Sequence, residues 1–327
     1  MKIQLSNIKQ FLIFAKILTF MNIKEVIDYM KLRPYTMRMG ARNVANRLHC
    51  DDNLVREARK IIHNMDLEKK SVKRVPKILL FDLETAPMRA YVWSRWKQDI
   101  TLDKTISESF IICWSAKWLY SNEVMSDTLK KDEILSGDDK RICCSLWKLI
   151  NEADVVIAHN LKRADMPWMN SRFVIHGILP PKPYCMVDTL EIAKKTFGFS
   201  SNKLDALAGY FGIEHKMDTD FGLWAACMDG DQGALDYMTH YNKKDVVILE
   251  EVYLRLRPWA KGLPSITNIV QDDVCPLCGS EDYELMEGKY YYTSVGRYQL
   301  YRCKHCGGIF RERFSDKSYK PGVTGLR

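Results

Sequence analysis

The 327-residue chain is 46% hydrophobic and 28% charged, a balance that indicates a globular protein with one large domain and smaller attachments. Its net charge of +8 suits a polyanionic partner such as nucleic acid, although spread evenly it would only aid solubility. The ten cysteines do not read as a disulfide scaffold: Cys50, Cys113, Cys143, Cys144, Cys185 and Cys227 are scattered among apolar segments, and the other four form two tight pairs near the C-terminus. That usage fits a reducing, cytoplasmic setting.

Residues 11–20 resemble a signal-peptide core after Lys2 and Lys9, but Lys16 interrupts them and no small-x-small cleavage site follows. The stretch also falls short of the ~20 apolar residues that a membrane span needs. Two readings stay open: a short amphipathic helix, and translation from an upstream start with Met21 as the true beginning.

Residues 22–66 read as three helices with a break at 49–52, giving a helical module over residues 1–70. The last two resemble a helix-turn-helix, in which the second helix enters a DNA groove. Val44 with Leu48 and Ala58 with Ile62 form i,i+4 apolar pairs, while Arg56, Arg59 and Lys60 supply charge on the second helix. An ordinary helical hairpin is the alternative.

A charged linker at 68–76 precedes a change of pattern. Strands are expected at 77–83, 91–94, 109–118 and 154–158, and helices at 140–152, 166–177, 202–211 and 233–256. Strands first, then helix, strand and helix, indicate an α/β domain with a mixed sheet over residues 75–260, closed by Pro258, Gly262 and Pro264.

The first strand ends unusually. After the buryable run Ile78-Leu79-Leu80-Phe81 come Asp82 and Glu84, which strand alternation sends to one face. Two like charges there repel unless a cation sits between them, and oxygen-only ligands suit Mg²⁺ or Mn²⁺ beside a substrate phosphate. A second buried strand ends in His159-Asn160, with Asp165 at the expected start of a helix. In the last long helix Tyr241 and Asp245 are i,i+4 and share a face.

The order of Asp82, Glu84, Asp165, Tyr241 and Asp245 resembles the DEDD superfamily of 3′-to-5′ exonucleases, which have an RNase H-like mixed β-sheet flanked by helices. Asp82 and Glu84 match its D-x-E motif, Asp165 its second motif, and Tyr241 with Asp245 the Y-x-x-x-D form of its third. Asp188-Thr-Leu and residues 201–212 add likeness to predicted exonuclease and RNase H-like proteins of phages and bacteria. The chain departs in having Ala164 where an aromatic often precedes the aspartate. His240, five residues before Asp245, also fits a histidine variant; on a continuous helix i,i+5 lies about 140° away and i,i+4 about 40°, which favours Tyr241.

The resemblance implies two catalytic Mg²⁺ or Mn²⁺ ions. Asp82 would bridge them, Glu84 and Asp245 would hold the one that activates water, and Asp165 would support the other. Tyr241 would orient that water rather than deprotonate it, since an ordinary phenol ionises only near ~10. Without metal, the carboxylates should raise one another's pKa values, so metal binding should strengthen as pH rises through the acid range. Asn160, Lys162, Arg163 and Trp168, beside His159, flank the second motif and are candidates for contact with the terminal nucleotide.

Cys275-x-x-Cys278-Gly and Cys303-x-x-Cys306-Gly lie 24 residues apart, the paired spacing of one structural Zn²⁺ held by four thiolates, with a glycine after each pair for the tight turn. A zinc ribbon is therefore expected over residues 265–327, with a hairpin turning near Gly296 between the pairs. Its Lys289, Arg297, Arg302, Lys304, Arg311 and Arg313 lie among many tyrosines, a mixture that suits nucleic acid, with protein docking as the rival use.

The expected function is thus a two-metal 3′-to-5′ exonuclease acting on single-stranded 3′ ends, of DNA more readily than RNA, without a membrane partner. A bacterial or phage-infected cytoplasm and a DNA polymerase or replication complex as partner fit the resemblance. The alternative is a nucleic-acid-binding adaptor or replication-assembly subunit with an inactive centre.

Overall fold

The computed structural model describes residues 21–71, 74–213, 217–294 and 296–318. The expectation for residues 11–20 lies outside them. The chain divides into two compact units, Met1–Lys73 and Arg74–Arg327.

Among the described residues of the first unit, α1 (Ile23–Leu32), α2 (Ala41–Leu48) and α3 (Asp52–Ser71) are the expected three helices. Asn22 caps α1 by accepting from the Glu25 amide at 3.0 Å while Glu25 returns a bond to the Asn22 amide at 2.9 Å, so two end donors are satisfied. Val26, Met30, Val44, Val55 and Ala58 make the unit's core. Arg59, one of the residues expected to supply charge on that helix, donates to the carbonyls of Thr36 and Met39 at 2.8 and 2.6 Å. Arg56 pairs with Asp52 one turn earlier at 3.1 Å.

The second unit opens with β1 (Ile78–Thr85), β2 (Arg89–Ala90), β3 (Thr105–Ser107), β4 (Ile111–Trp118) and β5 (Met125–Thr128). After α4 (Lys131–Ser136) and α5 (Lys140–Glu152) come β6 (Val155–Ala158), α6 (Asp165–Ile175), β7 (Cys185–Asp188), α7 (Thr189–Thr196) and α8 (Leu204–Tyr210). Then α9 (Phe221–Met228) leads to α10 (Gln232–Leu256), α11 (Ile266–Val270), and the strands β8 (Tyr283–Thr293), β9 (Gly296–Cys303) and β10 (Ile309–Arg311). Residues 91–94 are not a strand; beyond the bond from the Tyr91 amide to the Lys104 carbonyl the run Tyr-Val-Trp-Ser joins no ladder, and the ladder there is that of β2 with β3.

The main sheet has the order β5-β4-β1-β6-β7, with β4 and β5 antiparallel to their neighbours and β6 and β7 parallel. It is a mixed α/β sheet flanked by helices, consistent with an RNase H-like domain. Central β1 is buried on both faces through Phe81. Leu79 and Phe81 join the core that includes Ile142 and Leu146 of α5 and Met169 and Phe173 of α6. Ile78 and Leu80 join the opposite core, with Ile192 of α7, Leu207 of α8 and Val246, Leu249 and Val252 of α10. Asp82 and Glu84 continue the parity of Ile78 and Leu80, so alternation alone aims them at the side that α10 covers.

Long α10 starts under the cap of Asp231, which accepts from the Ala234 amide at 2.7 Å, and packs across β4 and β1. A buried ion pair between Lys117 of β4 and Glu250 of α10 fixes it, and Glu250 also accepts from the Tyr120 amide at 2.7 Å. Among the described residues, no helix is long and apolar enough to cross a membrane.

Candidate active site

The end of β1 and the middle of α10 bring three carboxylates together. Asp82, Glu84 and Asp245 each offer an oxygen within 4.8 Å of the other two. Asp245 is buried, and Asn242 beside it donates from Nδ2 to Asp82 Oδ2 at 2.7 Å. Asn242 precedes Asp245 by three positions and so shares its helix face. No sequence motif marks Asn242; its place between Tyr241 and Asp245 in the last long helix is the available signal. Behind the acids, burial pushes the Cys113 thiol well up, with the charges of Glu84 and Asp82 adding to it.

Tyr241 and Asp245 line the same open cleft, of about 670 Å³, as Asp82 and Glu84. Both belong to one uninterrupted helix that already contains residue 240, and His240 is exposed whereas Tyr241 is 4% exposed. The opposite wall is His159, Asn160 and residues 200–205. His159 is fixed there: Nε2 donates to the Asn202 carbonyl at 3.0 Å and Nδ1 lies 2.9 Å from the Thr189 hydroxyl. Buried Asp188 organises the wall by accepting from the amides of Asn160, Lys162, Leu190 and Glu191, which ties the exit of β6 to the start of α7.

Asp165 stands differently. It opens α6, is buried, and does not lie within 4.8 Å of all three clustered carboxylates. Its Oδ2 is buried without a hydrogen-bond partner, and burial, with the charge of Asp188 added, pushes its carboxyl up to about 7. Of the expected nucleotide contacts, Asn160 lines the cleft, in a left-handed conformation with φ 73°. Lys162 is paired with Glu191 at 2.7 Å, Arg163 is exposed, and Trp168 is half-buried outside the cleft lining.

The carboxylate set fits hard divalent cations. Three acidic oxygens so close cannot all stay ionised cheaply without positive charge between them, and the donors are oxygens alone. Asp139, Cys143 and His176 also lie close together, but Arg172 donates to both oxygens of Asp139 at 2.6 and 2.7 Å, so that cluster is a buried ion pair.

Residues 112–257 match the sequence model of the RNase H superfamily. The match takes in Asp165, Tyr241, Asn242 and Asp245 and stops short of β1. No curated protein matches the chain. Among solved structures, a family B DNA polymerase from the hyperthermophilic archaeon Pyrobaculum calidifontis is similar at 14% identity and a TM-score of 0.42, over 57% of this chain and 26% of that one. The chain thus spans about a quarter of that polymerase.

Beyond the matched segment, Cys275, Cys278, Cys303 and Cys306 present sulfurs within 4.8 Å of one another. Cys275 and Cys306 are 3.8 Å apart and Cys278 and Cys303 3.6 Å. Tetrahedral zinc with Zn–S of about 2.3 Å requires S···S near ~3.8 Å, so the cluster is compatible with a zinc ribbon. Gly279 and Gly307 follow the pairs with φ of 78° and 73°, the left-handed turn expected of them. β8 and β9 pair antiparallel as the expected hairpin, with Thr293 opposite Gly296. Two basic residues lie over its tyrosine rings, Arg297 of β9 on Tyr290 at 4.3 Å and Arg311 of β10 on Tyr298 at 4.2 Å.

Proposed function

We propose that the chain is a divalent-metal-dependent 3′-to-5′ exonuclease of the DEDD type with a tyrosine in its third motif. The observation that carries this reading is the convergence of Asp82, Glu84 and Asp245 in one cleft with Tyr241. Asp82, Glu84 and Asp245 would hold the catalytic ions, and Asp165, with its unpartnered buried oxygen, would complete the set. When bound, Mg²⁺ or Mn²⁺ supplies positive charge to the phosphorane-like transition state and lowers the pKa of water.

The chain's own groups do the rest. Asn242 holds Asp82 in one rotamer, which keeps an oxygen turned to the cleft. The Tyr241 hydroxyl accepts and donates a hydrogen bond, and so orients the attacking water toward phosphorus. The fixed His159 and Asn160 wall positions the terminal nucleotide opposite the acids. The four thiolates would hold one structural Zn²⁺, with no position left for water. Single-stranded DNA 3′ ends in a bacterial or phage replication setting are the proposed substrate.

Digestion of oligonucleotides labelled at either end, with Mg²⁺ or Mn²⁺, tests the reading. Stepwise shortening from the 3′ end by the wild type and its loss in Asp82→Ala are expected. Equal, negligible cleavage by both overturns it and leaves an adaptor.

A further inference from the structure

Between β1 and β4 the chain leaves the sheet, and this excursion displays aromatic rings to solvent. Trp93 is 94% exposed, Trp96 81% and Tyr91 74%. Large aromatic side chains are ordinarily buried for most of their surface, so two indoles and a phenol set together in water within six residues call for a ligand.

The excursion is nevertheless built. β2 pairs antiparallel with β3, and the Tyr91 amide donates to the Lys104 carbonyl at 2.9 Å. At the tip, the Ser94 hydroxyl donates to the Trp96 carbonyl at 3.1 Å, and Gln98 Nε2 donates to the same carbonyl at 2.9 Å. Lys104 Nζ closes the turn on the Asp99 carbonyl at 3.1 Å, and Arg89 anchors the base to Asp229 at 3.1 Å. The rings therefore sit on an ordered support, which reduces the entropy lost on binding.

Charge selects the ligand. Arg95 and Lys97 stand exposed among the rings and form no ion pair among the described residues. Rings interleaved with available cations suit a strand of stacked bases with phosphates between them. The arm also springs from the strand that carries Asp82 and Glu84: Trp93 is nine residues past Glu84, hence within about 30 Å of it even along a fully extended chain.

We infer that residues 91–97 form a stacking platform for single-stranded nucleic acid, which grips the strand upstream of a 3′ end held in the cleft. The inference rests on the nuclease reading for the orientation of the strand. It assigns Trp93 and Trp96 to base stacking and Arg95 and Lys97 to phosphate contact.

The test uses the full chain, without chelator and without added Mg²⁺ or Mn²⁺, and a 20-nucleotide oligothymidylate carrying fluorescein at its 5′ end, read by anisotropy. Trp93→Ala/Trp96→Ala should weaken binding at least tenfold, Trp93→Phe/Trp96→Phe should recover most of it, and the oligonucleotide should quench wild-type tryptophan fluorescence. Thermal melting of each variant reports folding. Undiminished affinity in the double alanine variant overturns the platform and turns the rings toward a protein partner. Cleavage of the same oligonucleotide in Mn²⁺ separates the two readings. A strand that is cut, yet bound equally by wild type and double alanine variant, sinks the platform alone. A strand gripped through Trp93 and Trp96 but never cut sinks the nuclease and leaves the platform standing.

Discussion

Asn242 Nδ2 donates to Asp82 Oδ2 at 2.7 Å, a bond between the middle of the last long helix and the end of the central strand. It makes one carboxylate orientation, rather than mere proximity, part of the site. Asn242→Ala should lower kcat by about 10–100-fold and weaken Mn²⁺ binding, because the carboxylate is then free to rotate. Calorimetric titration with Mn²⁺ beside steady-state kinetics checks this; unchanged metal affinity would make Asn242 a packing residue only.

Tyr241 and His240 compete for the third-motif role, and their exposures separate them. Tyr241→Phe should reduce kcat by about 10–100-fold with little change in KM, since a water-orienting hydroxyl acts in the chemical step. His240→Ala should stay within about twofold of wild type, as expected of an exposed side chain outside the cleft lining. The opposite ranking, measured on the same labelled oligonucleotide, would exchange the two assignments.

Much of this site was legible because its signals are local. A strand that runs apolar and then ends D-x-E, a helix with Tyr241 and Asp245 one turn apart, and two C-x-x-C-G pairs each need only period and chemistry. Contacts distant in sequence were not. Arg59 reads as surface charge until the carbonyls of Thr36 and Met39 are folded onto it. β5 and β7 are four-residue edge strands, too short to show alternation. α9 is apolar nearly all round, so no helical period marks it. Residues 91–94 carry strand-forming side chains, but strand propensity without a partner strand leaves an exposed turn.

Asp139 supports the fold away from the cleft. Its buried carboxylate accepts from Arg172, from the Ile111 amide at 2.9 Å and from His176, joining the starts of β4 and α5 to α6. Burial alone would raise its pKa; the hydrogen bonds from Arg172, Ile111 and His176 outweigh that and hold it below the ordinary carboxylate value. Asp139→Asn should cost about 3–5 kcal/mol, because Arg172 is left buried without its charge partner. A depressed folded pKa gives stability that is present above the unfolded value of ~3.9 and lost as pH falls through the folded one. Urea denaturation of wild type should therefore show an acid-side loss below about pH 4 that is smaller in Asp139→Asn; equal slopes would discount the group.

The thiolate cluster ties the C-terminal hairpin to the helix that carries Asp245. Ile266 and Val274 belong to the same core as α10, and the Ile266 amide donates to the Pro276 carbonyl at 2.9 Å. Just past the end of α10, buried Arg257 donates to the Tyr120 hydroxyl at 2.9 Å; burial pulls its pKa down, but Tyr120, Tyr253 and, least, Cys278 raise it on balance. Four thiolates around one Zn²⁺ carry a net double negative charge, so a buried guanidinium beside them is stabilising. Cys303→Ser should lower the zinc content below one per chain, as measured by atomic emission, and reduce the melting temperature by several degrees. Arg257→Met should leave zinc bound but speed its removal by a chromogenic chelator about tenfold, as expected when a positive charge near the thiolates is lost. Wild-type release kinetics in Arg257→Met would show that the cluster holds its metal without help from the end of the helix.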